Sequence, residues 1–234
     1  ITLFKSSWMK GYIGELLVRL WARLFLPRDV YHPMHDVTLP TLDGTTQIDH
    51  IFVSRFGIFV VETKNMRGWI FGSESQAQWT QTMFKKTFKF QNPLRQNYKH
   101  LKTLESALDI PIEVIHSVIA FVGDSMFKTE MPANVAKGGR YVTYIKSFKQ
   151  EVLSAPDVDR IVQQIQQGRL EPGRATNKAH VQNLKTRANP EAERSCPACG
   201  SALVIRQVKK GANVGKQFWG CSGYPKCHVK QALG

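Results

Sequence analysis

The 234-residue chain has no cysteine before residue 196 and no long uninterrupted hydrophobic run. Its four cysteines, at positions 196, 199, 221 and 227, cluster near the C-terminus, as at a metal site and unlike a disulfide framework spread across a fold. We therefore predict a reducing compartment, the cytoplasm. Arg19 and Arg23 interrupt the most hydrophobic helix, which argues against a membrane-spanning segment of about 18 apolar residues.

Acidic residues are scarce, with 18 Asp and Glu against 32 Lys and Arg and a formal net charge of +14. The imbalance is steepest from residue 170 onward, where eleven residues are basic and three acidic. Such a charge predicts a polyanionic partner, although a basic surface that serves only solubility, or a membrane-adjacent location, also fits. Ile1 to Lys5 fit either a frayed terminus or the end of an upstream anchor that would tether the protein to the inner membrane.

Hydrophobic periodicity predicts an amphipathic helix from Gly11 to Leu26. Its apolar residues at helical spacing are Ile13, Leu16, Leu17, Leu20 and Leu24. Two runs rich in β-branched and aromatic residues, 48–53 and 58–64, flank a four-residue tight turn and predict a β-hairpin.

Further elements are predicted as strands at 69–71, 79–90, 114–122 and 141–145, and as helices beginning at 92 and 156. The order helix, three or more strands, helix, strand describes an α/β or α+β layered domain. Residues 170–194 contain Pro172, Gly173 and Pro190 among scattered charges, which is typical of a linker.

The predicted hairpin places two carboxylates side by side. If its turn is centred between Arg55 and Phe56, Asp49 lies directly opposite Glu62, on the same face as Lys64. Directly opposed residues have Cβ atoms about 4.5–5.5 Å apart, close enough for two carboxylates to hold one divalent cation. Oxygen ligands favour Mg²⁺ or Mn²⁺, and a neighbouring lysine stabilises charge on a phosphate. The arrangement therefore predicts phosphodiester hydrolysis.

The same three residues also fit an ion-pair ladder on a solvated sheet face, because the pattern is short and common. Their neighbours favour function. The flanking apolar residues are Ile48, Ile51, Val53, Ile58, Val60 and Val61. They indicate strands buried on both faces, where an uncompensated charge costs several kcal/mol.

Several spaced motifs now coincide: Gly14-Glu15, Gln47-Ile48-Asp49-His50, the run Gly57 to Asn65, Gly68, Gly72, Trp79, and Asn92-Pro93-Leu94-Arg95-Gln96-Asn97. Together they closely resemble the nuclease-related domain (NERD) family of the restriction-endonuclease-like PD-(D/E)XK superfamily. The resemblance covers about residues 11–125. It implies an αβββαβ core with a mixed sheet flanked by helices, with Asp49 and Glu62 as ligands of the catalytic metal and Lys64 as the catalytic lysine. Ile48 stands where the superfamily is named for a proline.

The resemblance also draws two further side chains toward the catalytic centre. Periodicity alone predicts that Glu15 faces solvent, whereas the resemblance places it toward the active centre. Gln96, by the same analogy, contacts the lysine or the DNA backbone; an ordinary polar helix position is the alternative. His50 alternates to the face opposite Asp49, which indicates a structural role or a position behind the catalytic residues rather than the role of a base.

Aromatic and basic residues alternate after the hairpin. Trp79, Phe84, Phe88 and Phe90 are expected in the core rather than on a surface that stacks on bases. The basic residues that could line a phosphate-tracking groove are Lys85, Lys86, Lys89, Arg95 and Lys99. A solvated lysine face explains them equally well.

The four cysteines form two pairs, Cys196 with Cys199 and Cys221 with Cys227. Four thiolates suit one tetrahedral structural Zn²⁺ without an open position for catalysis. The module is too small to bury a core of its own, so the metal must supply most of its folding free energy.

The stretch from Cys196 to Cys227, with Phe218-Trp219-Gly220-Cys221-Ser222 and Tyr224-Pro225-Lys226-Cys227, is similar to the zinc finger at the C-terminus of type IA topoisomerases. That resemblance implies DNA binding, mainly to single strands. Independently, residues 195–234 hold no acid and combine basic with aromatic side chains that could contact phosphates and stack on bases. These candidates are Arg206, Lys209, Lys210, Lys216, Phe218, Trp219 and Tyr224. A protein-docking ribbon whose aromatics pack over the zinc is the alternative.

The sequence thus predicts a nuclease-like domain at 1–169, a linker at 170–194 and a zinc finger at 195–234. Two functions from different classes compete. The first is a Mg²⁺- or Mn²⁺-dependent nuclease acting on DNA, with single-stranded or structured DNA as substrate and RNA left open. The second is a non-catalytic DNA-binding adaptor in which the hairpin acids are structural.

Overall fold

The computed structural model describes residues 7–41, 44–188, 194–196, 198–211 and 213–232. The chain divides into two compact units, residues 1–37 with 47–169 and residues 38–46 with 170–234. The predicted terminal segment Ile1 to Lys5 lies outside the described residues.

Five strands form the central sheet of the fold, in the order β1 (His32–Thr41), β2 (Gly44–Ser54), β3 (Gly57–Asn65), β7 (Ile115–Val122) and β9 (Val135–Lys137). β2 and β3 are antiparallel, whereas β7 runs parallel to β3 and to β9. β3 and β7 read as near-continuous apolar runs because both of their faces are covered. The predicted mixed α/β class is confirmed.

A second sheet follows β3 directly and has the order β6 (Lys86–Gln91), β5 (Gln78–Met83), β4 (Gly68–Phe71) and β8 (Ser125–Phe127). Trp79 of β5 is fully buried and stacks on Phe121 of β7. Gly72 makes this packing feasible, since a Cβ there would lie 2.3 Å from the Trp79 ring. The strands β4 to β6 are thus an insertion within the predicted αβββαβ order.

Helix α1 (Ser7–Phe25) packs on the central sheet through small residues. Gly14, Val18 and Ala22 are buried at a spacing of four residues, while the predicted stripe residues Leu16, Leu20 and Leu24 are exposed. Periodicity therefore predicted the helix but not the face that it buries. The physical reason is close approach: a Cβ on Gly14 would lie 2.8 Å from Cβ of Asn65, so only a residue without a side chain allows the contact.

Three helices complete the first unit: α2 (Pro93–Leu108), α3 (Arg140–Ser147) and α4 (Ala155–Gly168). A short 3₁₀ helix, Ile112–Val114, precedes β7. The predicted strand at 141–145 was wrong, because this segment lies within α3. Tyr141, Val142 and Ile145 bury one helix face, and the Tyr141 hydroxyl donates to the Val18 carbonyl at 2.6 Å. A short apolar run is compatible with a strand and with a helix, and its packing partners determine which of the two forms.

The second unit contains helix α5 (Arg174–Ala188) and an antiparallel sheet of β10 (Leu203–Gln207), β11 (Gln217–Cys221) and β12 (Lys230–Ala232). His180 of α5 lies 2.8 Å from the Thr45 hydroxyl, between Nδ1 and Oγ1. The segment predicted to be a linker thus contains a helix. Pro172 and Gly173 precede the helix and Pro190 follows it, so no helix-breaking residue interrupts its 15 residues.

Within the described ranges, no helix combines the length and the apolar character needed to cross a lipid bilayer.

Candidate active site

The β2–β3 hairpin has the predicted register from His50 opposite Val61 to Ser54 opposite Gly57. Asp49 and Glu62 are the next residues outward on the two strands. The Asp49 carboxylate reaches across, and its Oδ2 accepts a hydrogen bond from the Thr63 backbone N–H at 2.8 Å. The short turn between the strands thus brings two acids to the same point of the sheet.

Glu62, Lys64 and Gln96 form a closed hydrogen-bonded triangle. Lys64 Nζ donates to Glu62 Oε1 at 2.7 Å and to Gln96 Oε1 at 2.8 Å. Gln96 Nε2 donates to the same Glu62 oxygen at 2.7 Å. Glu62 is 4% exposed, so its carboxylate has lost most of its hydrogen bonds to water. The bonds from Lys64 and Gln96 compensate for that loss.

Gln96 is held in place by the start of α2. The Asn92 side chain caps this helix by accepting from the Leu94 backbone N–H at 2.9 Å, and Pro93 occupies the first helical position. One residue beyond Gln96, the buried Asn97 amide donates to the Val60 carbonyl of β3 at 2.8 Å. The predicted cap therefore fixes which residues of α2 face the sheet.

His100 is a site residue that sequence reasoning missed. It is 6% exposed, and its Nε2 lies 3.4 Å from Glu62 Oε2, the carboxylate oxygen not used by Lys64. The signal was present, because His100 follows Gln96 by four residues and therefore lies on the same face of α2. Both oxygens of Glu62 thus face a nitrogen.

The two carboxyl groups have opposite pKa shifts. Burial and the neighbouring Glu62 charge raise the pKa of Asp49 well above 3.8. Burial acts in the same direction on Glu62, but the Lys64 ammonium and His100 outweigh it and lower the pKa of Glu62. Glu62 is therefore the stable anion, and Asp49 is the group whose ionisation a nearby cation would favour.

Glu15 of α1 lies within electrostatic range of this centre. Burial, Asp36 and Glu62 raise the pKa of Glu15, against the lowering effect of Arg19. Arg19 binds Asp36 through two hydrogen bonds of 2.7 Å and lies 3.8 Å from Glu15. Among the described residues, however, Glu15 does not join Asp49 and Glu62 in a three-ligand cluster.

His50 lies on the other side of β2. It is fully buried, and its Nδ1 lies 3.0 Å from Nδ1 of His35. Burial and the neighbouring His35 lower the pKa of His50 well below 6.5. A buried neutral imidazole at this position agrees with the predicted structural role.

The aromatic residues after the hairpin divide between core and surface. Trp79 is buried, and Phe90 packs against its cluster, as expected. Phe84 and Phe88 are exposed at 95% and 47%, so the expectation that they are core residues was wrong. They belong to the end of the β5–β6 hairpin, which extends beyond the elements that cover Trp79.

The predicted basic candidates of the first unit lie outside the triangle. Lys85, Lys86 and Lys89 are exposed on the β5–β6 hairpin. Arg95 and Lys99 are exposed on α2, and the Arg95 guanidinium donates to the Ser75 carbonyl.

The four cysteine sulfurs of the second unit lie within 4.8 Å of one another. The Sγ atoms of Cys196 and Cys227 are 3.6 Å apart, and those of Cys199 and Cys221 are 3.4 Å apart. Zinc–sulfur bonds of 2.3 Å in a tetrahedron require sulfurs about 3.8 Å apart. Hydrogen bonds from Ser201 lower the pKa of Cys199 to about 6, whereas burial raises the pKa of Cys221 to about 12. A metal cation held between the sulfurs stabilises the thiolate form of each cysteine that binds it. The cluster therefore fits one structural Zn²⁺.

Trp219 is 4% exposed and packs beside Cys196, Leu203 and Cys221, so its predicted surface position was wrong. Its ring forms the small core of the zinc module and lies 4.4 Å from the Arg194 guanidinium carbon. Tyr224, in contrast, is 55% exposed.

The remaining candidates of the module are on or near its surface. Lys209, Lys210 and Lys216 are exposed, whereas Arg206 and Phe218 are half-buried.

Two segments of the chain, each containing one of these sites, match known protein families. The profile of the nuclease-related domain matches residues 10–122, and that of the topoisomerase DNA-binding C4 zinc finger matches residues 193–233. An uncharacterised protein of Bacillus anthracis is 40% identical over 158 residues, which cover 67% of this chain and 72% of that protein. The chain belongs to the nuclease-related domain family.

The nuclease-related domain match includes the whole hairpin with Asp49, Glu62 and Lys64, and also Gln96 and His100 of α2. The C4 zinc-finger match includes all four cysteines. Both predicted resemblances are confirmed. No solved structure matches the chain.

Proposed function

We propose that the nuclease-related domain hydrolyses phosphodiester bonds of DNA with Mg²⁺ or Mn²⁺, and that the zinc module binds the DNA. The observation that supports this best is the triangle of Glu62, Lys64 and Gln96 beside Asp49, in which Glu62 is buried and the other two side chains are half-buried. A fold gains little from a buried acid whose partners are a lysine and an amide, since apolar side chains of similar size serve stability at least as well.

The two carboxylates fit a hard divalent cation. Burial and the Glu62 charge raise the pKa of Asp49, so a positive charge beside the two carboxylates would stabilise the ionised pair. Asp49 and Glu62 would hold the ion, and the ligands beyond these two carboxylates come from backbone, water or substrate. Such an ion, when bound, neutralises charge on the phosphate.

The chain's own residues supply the remaining requirements. Lys64 presents its ammonium at 2.7 Å from Glu62, where it can orient a water molecule and stabilise charge on phosphorus. Gln96 and His100 keep Glu62 in one position, so that both of its carboxylate oxygens are held ready for the ion. Glu15 adds negative charge nearby and is a candidate outer ligand.

Cleavage assays test the proposal. Supercoiled and single-stranded DNA are incubated with the full chain and either metal, and Lys64→Ala and Glu62→Gln are compared with the unmodified protein. Loss of one group that stabilises the transition state lowers the rate by roughly 10²- to 10³-fold. Lys149→Ala, which removes an exposed lysine outside the site, is the matched control. Absence of cleavage by the unmodified chain with every metal favours the adaptor function.

The zinc module is proposed to prefer single-stranded DNA. Residues 195–234 carry no acid, and the exposed Tyr224 ring lies 5.7 Å from the Arg206 guanidinium carbon. Base stacking beside phosphate contacts is typical of single-strand binding. Tyr224→Ala should weaken binding of single strands more than of duplex in a fluorescence anisotropy titration; equal weakening of both contradicts the preference.

A further inference from the structure

A small pocket with three arginines lies between the C-terminal half of α1 and the β1 edge of the central sheet. Its volume is about 190 Å³, and Arg19, Arg23 and Arg28 all line it. No acidic side chain of the described residues lines it. We name it the arginine pocket. Pockets for drug-sized ligands begin at roughly 300 Å³, so this one fits a single compact group.

The arginine pocket is separate from the candidate active site. Its wall on the sheet includes Phe52 of β2, which is buried. Phe52 follows Asp49 by three residues, and side chains alternate along a strand, so the two point to opposite faces of the sheet. The pocket therefore needs an explanation of its own.

Local sequence builds most of the pocket. Four of its residues have the spacing i, i+3, i+4 and i+7 along α1 and the residue after it, which places them on one side of the helix: Arg19, Ala22, Arg23 and Leu26. Arg28 follows in the turn before β1. A hydrogen bond from the Tyr31 backbone N–H to the Pro27 carbonyl, of 2.9 Å, closes this turn. The pocket is therefore part of the fold.

Arg19 is held in one orientation at the pocket wall. Its Nη2 donates to both carboxylate oxygens of Asp36 at 2.7 Å. Asp36 has a backbone φ of +51°, in the left-handed region that residues other than glycine rarely adopt. Arg19 Nε is buried and has no hydrogen-bond partner in the part of the chain that the structure describes. Asp36 alone thus leaves this guanidinium incompletely paired.

The other two arginines have no counterion. Arg23 and Arg28 are exposed, and no ion pair within the described ranges involves either. A basic residue in the last turn of a helix offsets the helix dipole, which accounts for Arg23 but not for Arg28. Burial, together with the Arg19 and Arg28 charges and against the effect of Asp36, lowers the pKa of His35 to about 4. His35 also lines the pocket, so these guanidinium groups act on the same small space.

The charge and the chemistry of the pocket match a phosphate group with two negative charges. A phosphate monoester carries about −1.5 to −2 near neutral pH, whereas each phosphodiester of a nucleic-acid backbone carries one negative charge. Guanidinium groups bind phosphate oxygens through two parallel hydrogen bonds. Leu26 and Phe52 form an apolar part of the wall, against which the organic body of a phosphate ester can pack.

We infer that the arginine pocket binds a dianionic phosphate group, with Arg23 and Arg28 contacting its oxygens and Arg19, held by Asp36, completing the positive wall. Three sources share this chemistry: inorganic phosphate, a free nucleotide, and the phosphorylated end of a nucleic-acid strand. The inference does not rest on the proposed nuclease function, because neither Asp49 nor Glu62 lines the pocket.

Calorimetric titration of the full chain with deoxyadenosine monophosphate tests the inference. Zinc stays bound, Mg²⁺ and Mn²⁺ are left out, and the ionic strength is constant. Arg23→Gln combined with Arg28→Gln should weaken binding roughly ten- to a hundredfold, since a hydrogen bond to a charged group contributes about tenfold or more. Arg23→Lys combined with Arg28→Lys keeps the charge but loses the paired hydrogen bonds, so it should restore the affinity only in part.

A matched control separates the pocket from the net charge of the protein. Arg140→Gln combined with Lys146→Gln removes two exposed positive charges of α3 that do not line the pocket, and it should leave binding unchanged. All variants should keep the unfolding midpoint of the unmodified protein, because the replaced side chains are exposed.

The three sources have different signatures. Tighter binding of a 5′-phosphorylated oligonucleotide than of its 5′-hydroxyl form, lost in the Arg23→Gln and Arg28→Gln pair, identifies the end of a strand. Binding of the mononucleotide without that preference identifies a free nucleotide. Binding of inorganic phosphate alone identifies the free ion. Each of these results supports a dianionic phosphate group in the pocket.

Three results overturn the inference. The first is that the unmodified chain binds none of these phosphate probes. The second is an equal loss of binding in the α3 control pair, which would show attraction by overall charge. The third is that a 5′-hydroxyl dinucleotide, which has only a diester, binds as tightly as the mononucleotide.

Discussion

Two glycines on the same helix are predicted to respond in opposite ways to alanine. A Cβ on Gly14 would lie 2.8 Å from Asn65 Cβ, 3.1 Å from Val122 Cγ2 and 3.3 Å from Thr63 Cγ2. A Cβ on Gly11, three residues earlier, would meet nothing within 4 Å. Gly14→Ala therefore forces α1 away from β3 and β7, whereas Gly11→Ala adds a methyl group in open space.

The magnitudes follow from two opposing effects. Replacing a glycine inside a helix by alanine stabilises the helix by about 0.5–1 kcal/mol in both variants. Overpacking adds a cost of about 1–3 kcal/mol at Gly14 only. We expect Gly11→Ala to gain up to about 1 kcal/mol and Gly14→Ala to lose up to about 2.5 kcal/mol. Because the helix effect cancels between them, their difference should equal the overpacking cost.

Thermal and urea unfolding of the two full-length variants measure this difference. For a domain of this size, 1 kcal/mol corresponds to about 2–4 °C in Tm, so the two midpoints should differ by roughly 2–12 °C. Equal shifts in both variants, in either direction, would refute the conclusion that α1 approaches the sheet through Gly14.

Three further outcomes are expected. Because burial and Glu62 raise the pKa of Asp49, the folded protein binds that proton more tightly than the unfolded chain and loses stability as the pH rises from 3.8 through the raised pKa. In urea unfolding without added divalent cation, Asp49→Asn should therefore be more stable than the unmodified protein at alkaline pH, and this advantage should vanish at low pH, where Asp49 is protonated in both states. A stability difference that does not change with pH would contradict the raised pKa of Asp49. Gly72→Ala should lower the midpoint of thermal unfolding more than Gly14→Ala does, since its Cβ would meet the Trp79 ring at 2.3 Å, and an unchanged midpoint would exclude this packing. Chelation at neutral pH should unfold residues 195–234 while the nuclease-related domain stays folded, as followed by hydrogen exchange; retained protection around Trp219 after zinc removal would show that the module folds without metal.

Local patterns were sufficient for the hairpin, the helix cap and the cysteine pairs. A short turn fixes strand register, so the side-by-side placement of Asp49 and Glu62 could be predicted from residue numbers alone. The Asn92-Pro93 cap fixed the start of α2 in the same way. Each of these depends on interactions between residues close together in the chain.

The buried face of α1 and the helical structure of residues 141–145 depended on contacts between elements that are distant in the chain. The leucines of α1 suggested the buried face, but the helix packs on the sheet along Gly14, Val18 and Ala22, where small side chains let the backbones approach. The apolar run at 141–145 forms a helix that buries Tyr141, Val142 and Ile145 on one face, with the Tyr141 hydroxyl bound to the Val18 carbonyl. Neither partner can be identified from the local sequence, since both contacts join distant parts of the chain.

The candidate site divides along the same line. The sequence by itself determined the acid pair, the lysine two residues beyond Glu62 and the four thiols, because period-two alternation and fixed spacing act within a few residues. Only the tertiary structure decided that His100 faces Glu62, that Trp219 is buried and that Phe84 stands in solvent. Burial depends on which surfaces neighbouring elements cover, and that is settled by the packing of the whole fold.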